Sequence, residues 1–198
     1  MFRKVFSVVG MLMLVSGLCG AAAQNLLKNP DFDDVISRQS IENWETVGGD
    51  RFESWSKEFH SGTASVKFWW DALITQKVTA IPGKKYELSG WLSNPLSEPL
   101  DSKGSKSGRI KMEFLSKDLT VLATVQSAKF DRTMEAGRWY EVKVIEIAPP
   151  NTAFVTATFQ LFPGDGSGVI LVDDMKLVIA KEVKADSSDK SIKSKKAK

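Results

Sequence analysis

The sequence predicts an all-β domain, an antiparallel sandwich or barrel. Three observations carry that prediction. Apolar and polar residues alternate with period two through most of 24–181. Turn chemistry separates the alternating runs at short intervals. No segment shows a convincing 3.6-residue period with caps. Among 198 residues with 42% hydrophobic and 26% charged side chains, one ordinary globular domain is expected.

The first clear run, Ser65 to Trp70, sets Val66, Phe68 and Trp70 against Ser65, Lys67 and Trp69. This reading assigns Trp70 to the core. Ile74, Gln76 and Val78 then alternate with Leu73, Thr75 and Lys77. Pro82-Gly83 makes a turn, after which Tyr86, Leu88, Gly90 and Leu92 oppose Glu87, Ser89 and Trp91. Ser93 to Gly108, with Pro95, Pro99 and two glycines, reads as a long exposed loop. Further strands fit Arg109 to Leu115, Val121 to Val125, Trp139 to Ile147, Ala153 to Phe162 and Val169 to Ile179. Pro149-Pro150-Asn151 and Gly164 to Gly168 are turns between them. Asp34 to Asn43 is the one stretch where a short helix is considered.

Composition closes several routes to function. A single Cys and a single His exclude a Cys/His zinc site and an internal disulfide. With 27 basic and 24 acidic residues, the net charge of +3 gives no reason to expect nucleic-acid binding. Residues 1 to 23 read as a secretory signal: Arg3 and Lys4, an apolar stretch from Val5 to Leu18, then Ala21-Ala22-Ala23. A secreted or periplasmic protein follows, with no membrane insertion once the signal is removed. An anchor helix is disfavoured by length, and lipidation at Cys19 by the preceding Leu18. Residues 182–198 form a Lys-rich tail with too little apolar surface to fold. It is read as a solvated end, or as an electrostatic contact to an anionic envelope.

The remaining landmarks come in a definite order. Asn25-Leu26-Leu27-Lys28-Asn29-Pro30-Asp31-Phe32-Asp33 opens the domain, and Trp44 follows. His60-Ser61-Gly62-Thr63-Ala64-Ser65 comes next, then Gln76-Lys77-Val78, Pro82-Gly83-Lys84-Lys85-Tyr86 and Leu88-Ser89-Gly90-Trp91. Trp139 opens a late strand that Ala148-Pro149-Pro150 closes, and Val172-Asp173-Asp174-Met175-Lys176-Leu177 ends the domain. This ordered set resembles the carbohydrate-binding modules of the cellulase C type, over about the whole of 25–179. The resemblance implies a galactose-binding-like jelly roll, with polysaccharide or another glycan as partner.

The resemblance also implies a structural calcium ion. Carried over by motif, Asp33 and Asp173 would give carboxylate oxygens, and Asp31, His60 and Thr63 backbone carbonyls. Asp31 and Asp33 stand where the family more often has Gly and Glu. The residues support an ion independently. Val169, Leu171, Asp173, Met175, Leu177 and Ile179 share one strand face, so Asp173 would point at the core. A buried ionised carboxylate needs a cation or hydrogen-bond donors. Calcium meets that need, and so does a loop capped through its backbone N–H groups.

A sugar site needs a flat aromatic for its C–H face and polar groups for its hydroxyls. Trp44 and Trp139 match structural landmarks, and Trp55 lies where alternation is unclear. Trp69 and Trp91 fall on the polar sides of their strands. With Glu87, Arg109, Glu113 and Gln160 as a rim, they would form a platform if these strands share one concave sheet. The alternative is indoles packed under a loop such as Ser93 to Gly108. No Gly-x-Ser-x-Gly elbow, phosphate loop or dinucleotide fingerprint occurs, and no acid pair stands out by position. The chain therefore reads as a non-catalytic carbohydrate-binding protein. A protein-interaction module of an envelope or matrix, and a small glycoside hydrolase, are its rivals.

Overall fold

The computed structural model describes residues 23–48, 52–53 and 56–180. The expected leader, except Ala23, the Lys-rich tail and Trp55 lie outside the described residues. Two antiparallel sheets face one another, as the all-β prediction requires. In chain order the strands are β1 (Val35–Ser37), β2 (Ser40–Ile41), β3 (Glu45–Val47), β4 (Phe52–Glu53), β5 (Val66–Phe68), β6 (Ala72–Thr79) and β7 (Lys85–Ser93). Then follow β8 (Ser107–Leu115), β9 (Val121–Gln126), β10 (Phe130–Asp131), β11 (Trp139–Ile147), β12 (Phe154–Phe162) and β13 (Ile170–Ile179). One sheet runs β10-β8-β12-β6-β3, with β9 also pairing β8. The other runs β11-β7-β13-β5-β4. Among the described residues no helix is long and apolar enough to cross a membrane.

Alternation within each strand sends one residue set into the space between the sheets. From β12 these are Val155, Ala157, Phe159 and Leu161; from β7, Tyr86, Leu88 and Leu92. Aromatic contacts bridge the layers. Phe68 of β5 meets Phe159 of β12 at 4.8 Å between ring centres, and Tyr86 of β7 meets Phe114 of β8 at 5.8 Å. The N-terminal segment closes against the last strand. Leu26 N–H donates to the Leu177 carbonyl at 2.8 Å, and Asn25 Oδ1 accepts from Leu177 N–H at 3.0 Å. The buried Gln76 amide clamps Lys28 with two hydrogen bonds, of 2.8 and 2.9 Å.

Three local expectations are corrected. Asp34 to Asn43 contains no helix; β1 and β2 pair there as a small hairpin. The 94–106 segment is not simply an exposed loop, because Asn94, Leu100 and Lys106 are all buried. Asn94 Oδ1 accepts the Leu100 N–H at 2.8 Å, and its Nδ2 donates to the Met134 carbonyl at 3.0 Å, so the segment is tied down. Trp70 is not in the core. Strand β5 ends at Phe68, the chain bends at Trp70, and this indole is 46% exposed. Alternation predicts a facing only while the strand lasts.

Phe159, fully buried between the layers, gives a direct check of the core. Phe159→Ala is expected to cost about 3–5 kcal/mol, read as a lowered urea midpoint at unchanged slope.

Candidate functional site

The last strand carries an irregularity that organises one end of the molecule. Pairing of β13 with β7 shifts register between Asp173 and Lys176, and Asp174 adopts a left-handed backbone with φ of 46°. This is a β-bulge. Ile170 and Val172 before it face the core, and so do Met175 and Leu177 after it. Asp173 is therefore not on the core face predicted for it. It shares the outer face of its sheet with Trp91, its partner in register. It is nonetheless fully buried.

The 60–64 turn covers Asp173. Asp173 Oδ2 accepts the N–H groups of His60 at 2.8 Å and Ser61 at 3.2 Å, and Oδ1 accepts its neighbour Asp174 N–H at 2.7 Å. Burial pushes its carboxyl up to about 7. The hydrogen bonds from Ser61, His60 and Asp174 oppose that rise, while the Asp174 charge adds to it. Asp33 holds the other end of the turn: its Oδ1 accepts from Thr63 N–H at 2.7 Å, Thr63 Oγ1 at 3.0 Å and Ala64 N–H at 3.1 Å. Gly62 between them has φ of 68°, and an added Cβ there would collide with the Asp33 carboxylate.

Of the five residues assigned to an ion, four thus converge on one turn. Asp33 and Asp173 supply carboxylates from either side, and His60 and Thr63 lie between, engaged through their N–H groups. Asp31 lies apart from the Asp33 end, lining a cavity of about 310 Å³ with Trp91, Glu141 and Asp174. Among the described residues no group of three or more acidic, His or Cys side chains is close enough to hold a metal. The turn meets both carboxylates through its N–H groups.

Beside this turn the aromatic side chains are already paired. The His60 ring stacks on Trp91 at 4.0 Å and 13°, and meets Trp139 edge-on at 5.7 Å. His60 Nδ1 lies 2.6 Å from Asp174 Oδ2, and Ser61 Oγ donates to Asp174 Oδ1 at 2.8 Å. Asp174 thus anchors the ring. One face of Trp91 is taken by this imidazole rather than by a loop from 93–108. Trp44 is structural, its Nε1 donating to the Asn29 carbonyl at 2.9 Å.

The predicted rim does not assemble as one site. Glu87 and Trp91 lie on β7, with Trp69 just after β5, so all three belong to one sheet. Arg109 and Glu113 lie on β8 and Gln160 on β12, on the outer face of the other sheet, where Arg109 is the register partner of Gln160. The sandwich core separates the two groups. Glu87 pairs with Lys143 at 3.0 Å and Glu113 with Lys111 at 3.1 Å. Near Glu113 the buried Thr156 Oγ1 has no hydrogen-bond partner among the described residues.

The exposed indole lies elsewhere. Trp69 and Trp70 line a cleft of about 510 Å³ with Arg38, Glu53, Lys67, Glu98 and Lys106, and with the backbone of residues 166–169. A cavity of about 270 Å³ beside it shares Glu53, Lys67, Glu98 and Val169 as lining and adds Pro95 and Ser97. Arg38 Nε lies 3.1 Å from Glu53 Oε1, and Lys67 pairs with Glu98. Trp70 is the one exposed tryptophan among the described residues. Sequence reasoning found Trp69 but missed Trp70, Lys67, Glu98 and Lys106. The last two sit in a loop with no period to read. The available signal was the shortness of the β5 run before Asp71.

No protein-family model matches this chain, and no curated protein does. Solved structures share its fold. A CBM22-1 xylan-binding domain of Paenibacillus barcinonensis Xyn10C is 12% identical, with a TM-score of 0.55 over 81% of this chain and 97% of that one. TmCBM61, solved with β-1,4-galactotriose, is 18% identical, with a TM-score of 0.53 over 80% and 100%. The enzymatically active domain of tailspike protein 4 from bacteriophage CBA120 is 15% identical with a TM-score of 0.56. There the match covers 79% of this chain but only 21% of the other. The resemblance stated above is thereby borne out at the level of the fold, a jelly-roll β-sandwich like that of carbohydrate-binding modules.

Asp173 sets a pH dependence with a definite sign. Its folded value of about 7 lies above the roughly 3.9 of an unfolded aspartate, so the folded state holds the proton more tightly. The stability this confers is full at low pH and is lost as pH rises towards 7. In excess chelator, melting temperature should fall across that window, and Asp173→Asn should flatten the fall. Equal slopes for the two proteins would contradict it.

Proposed function

We propose that the chain is an exported, non-catalytic carbohydrate-binding protein whose glycan lies in the Trp69–Trp70 cleft. One observation carries this reading. A tryptophan left 46% exposed shares an open cleft with a second tryptophan and four other charged side chains besides Lys106. An indole face suits the C–H face of a pyranose, and the charged groups and backbone carbonyls around it suit the hydroxyls. The fold supports the reading, since neighbours with it include a xylan-binding domain and a module solved with galactotriose. The leader read in the sequence supports export.

Catalysis is not part of the proposal. Glu53 and Glu98, the two acids of the cleft, are each paired with a cation, Arg38 and Lys67. Glycosidic acid catalysis uses a carboxyl kept protonated by its surroundings. Here each acid of the cleft already faces a cation instead.

The scaffold would be stiffened by calcium at the 60–64 turn, held by the carboxylates of Asp33 and Asp173 with carbonyls of the turn. The ion would supply the positive charge that buried Asp173 lacks among the described side chains. The backbone would do the rest, holding His60 against Trp91 from a fixed turn.

Two measurements check these statements. In affinity electrophoresis through xylan and β-1,4-galactan, Trp70→Ala is expected to lose most retention and Trp91→Ala little. A Trp70→Ala protein retained like the parent removes the site. Excess calcium should raise the melting temperature above that in excess chelator, and Asp33→Ala should abolish the difference.

A further inference from the structure

The charges of the Trp69–Trp70 cleft do not balance. Arg38 is matched by Glu53 at 3.1 Å, and Lys67 by Glu98. Lys106 is left over. It is 5% exposed, and its Nζ donates to the Gly168 carbonyl at 2.7 Å. Among the described residues no carboxylate lies within ion-pair distance of it. Burial lowers its pKa, the cost of holding an ammonium away from water with a carbonyl and an indole face, both uncharged, as its neighbours. A structural lysine at a loop usually reaches solvent with its head and buries only its stem. This head is instead part of the cleft wall.

The wall itself is rigid. Gly168 has φ of 92°, and a Cβ there would collide with the Pro99 carbonyl, so the 164–169 backbone is packed against the 94–106 segment. Gly104 N–H donates to the Asp101 carbonyl at 3.0 Å, and Ser105 N–H to the Asp165 carbonyl at 3.0 Å. The ammonium is therefore held over one face of the exposed Trp70 indole, 5.9 Å from its centre, so it overlooks the edge of a sugar resting on that same face. A sugar residue resting on Trp70 brings its ring substituents into the neighbourhood of this cation.

We propose that the cleft selects an acidic glycan, and that Lys106 meets the negative group of the residue lying against Trp70. This rests on the glycan reading above and adds the substrate class. The shared chemistry is a single anion on a pyranose, a uronate carboxylate or a sulfate ester. A lysine supplies a point charge that either can satisfy with charge-assisted hydrogen bonds. An anion there also completes the ion pairing of a cleft otherwise balanced pair by pair.

The test uses the full chain and matched polymers. Retention is measured in gels containing polygalacturonate, its fully methyl-esterified form, carrageenan, xylan and β-1,4-galactan. Methyl esterification removes the charge and keeps the backbone. The expected result is stronger retention by polygalacturonate than by its ester, weakening with salt. Carrageenan retention in place of polygalacturonate retention would assign the anion as sulfate. Lys106→Gln keeps a donor for Gly168 and removes the charge, and Lys106→Met removes both. Each should weaken the acidic polymer by roughly tenfold to a hundredfold, the worth of a charge-assisted hydrogen bond. Melting curves establish that the variants fold. The Lys-rich tail attracts acidic gels whatever the cleft does, so the preference is assigned to the cleft by the loss on going from the parent to the Lys106 variants, which share that tail. Equal affinity for polygalacturonate and its ester, without carrageenan binding, overturns the acidic preference and leaves the glycan reading standing. Variants that fold and bind the acidic polymer like the parent remove Lys106 from it. Retention by none of the five polymers defeats the glycan reading itself.

Discussion

One buried carboxylate holds together an end of this molecule that the strands alone would leave loose. Asp173 lies under the 60–64 turn and takes three backbone N–H groups, two from that turn and one from Asp174. The bulge at Asp174 makes this geometry available. It lets Asp173 face away from the core while the apolar residues on both sides of the bulge keep facing into it. A regular strand at the same place would keep strict alternation and leave one of these demands unmet. Asp33 then grips the far end of the turn, which joins the N-terminal segment to the last strand across the chain's length.

The consequences reach the aromatic residues. Because the turn is fixed, His60 lies flat on Trp91 and is anchored by Asp174. An indole that looked available from its strand position is thereby partly used by the protein. The opposite happens at Trp70. Its strand stops two residues earlier, so the side chain leaves the core and enters a cleft with Trp69. Burial and exposure of these tryptophans follow from where regular structure stops, not from their polarity. The cleft draws its charge from both kinds of element: Glu53 and Lys67 from β4 and β5, and Arg38, Glu98 and Lys106 from loops.

Much of the fold was legible because alternation is a local property. The long strands β6, β7, β8, β11, β12 and β13 fall close to the predicted runs, and all but β11, whose Ile145 and Ile147 are exposed, have their apolar set inside. The site was legible only in pieces. Asp33, His60, Thr63 and Asp173, grouped from the sequence, do meet at one turn, and Trp69 lines a cleft, yet the rim was drawn across two sheets. Glu87 and Arg109 have the same pattern of neighbours in sequence. Nothing in that pattern says that β7 and β8, though consecutive, belong to opposite layers. Lys106 and Glu98 were missed for a related reason: a loop has no period, so its residues carry no directional signal.

By itself, the amino-acid order determined the class of structure, the strand positions and the residues that fill the core. Each of those depends on side-chain periodicity and turn chemistry within a few neighbours. Tertiary structure alone decided which strands share a sheet, that Asp173 turns outward beneath a capping turn, and which tryptophan remains open. These depend on contacts between residues such as 60 and 173, or 70 and 106, that are far apart in the chain. Such contacts are set by packing and by the need to satisfy buried polar groups, and no local pattern encodes them.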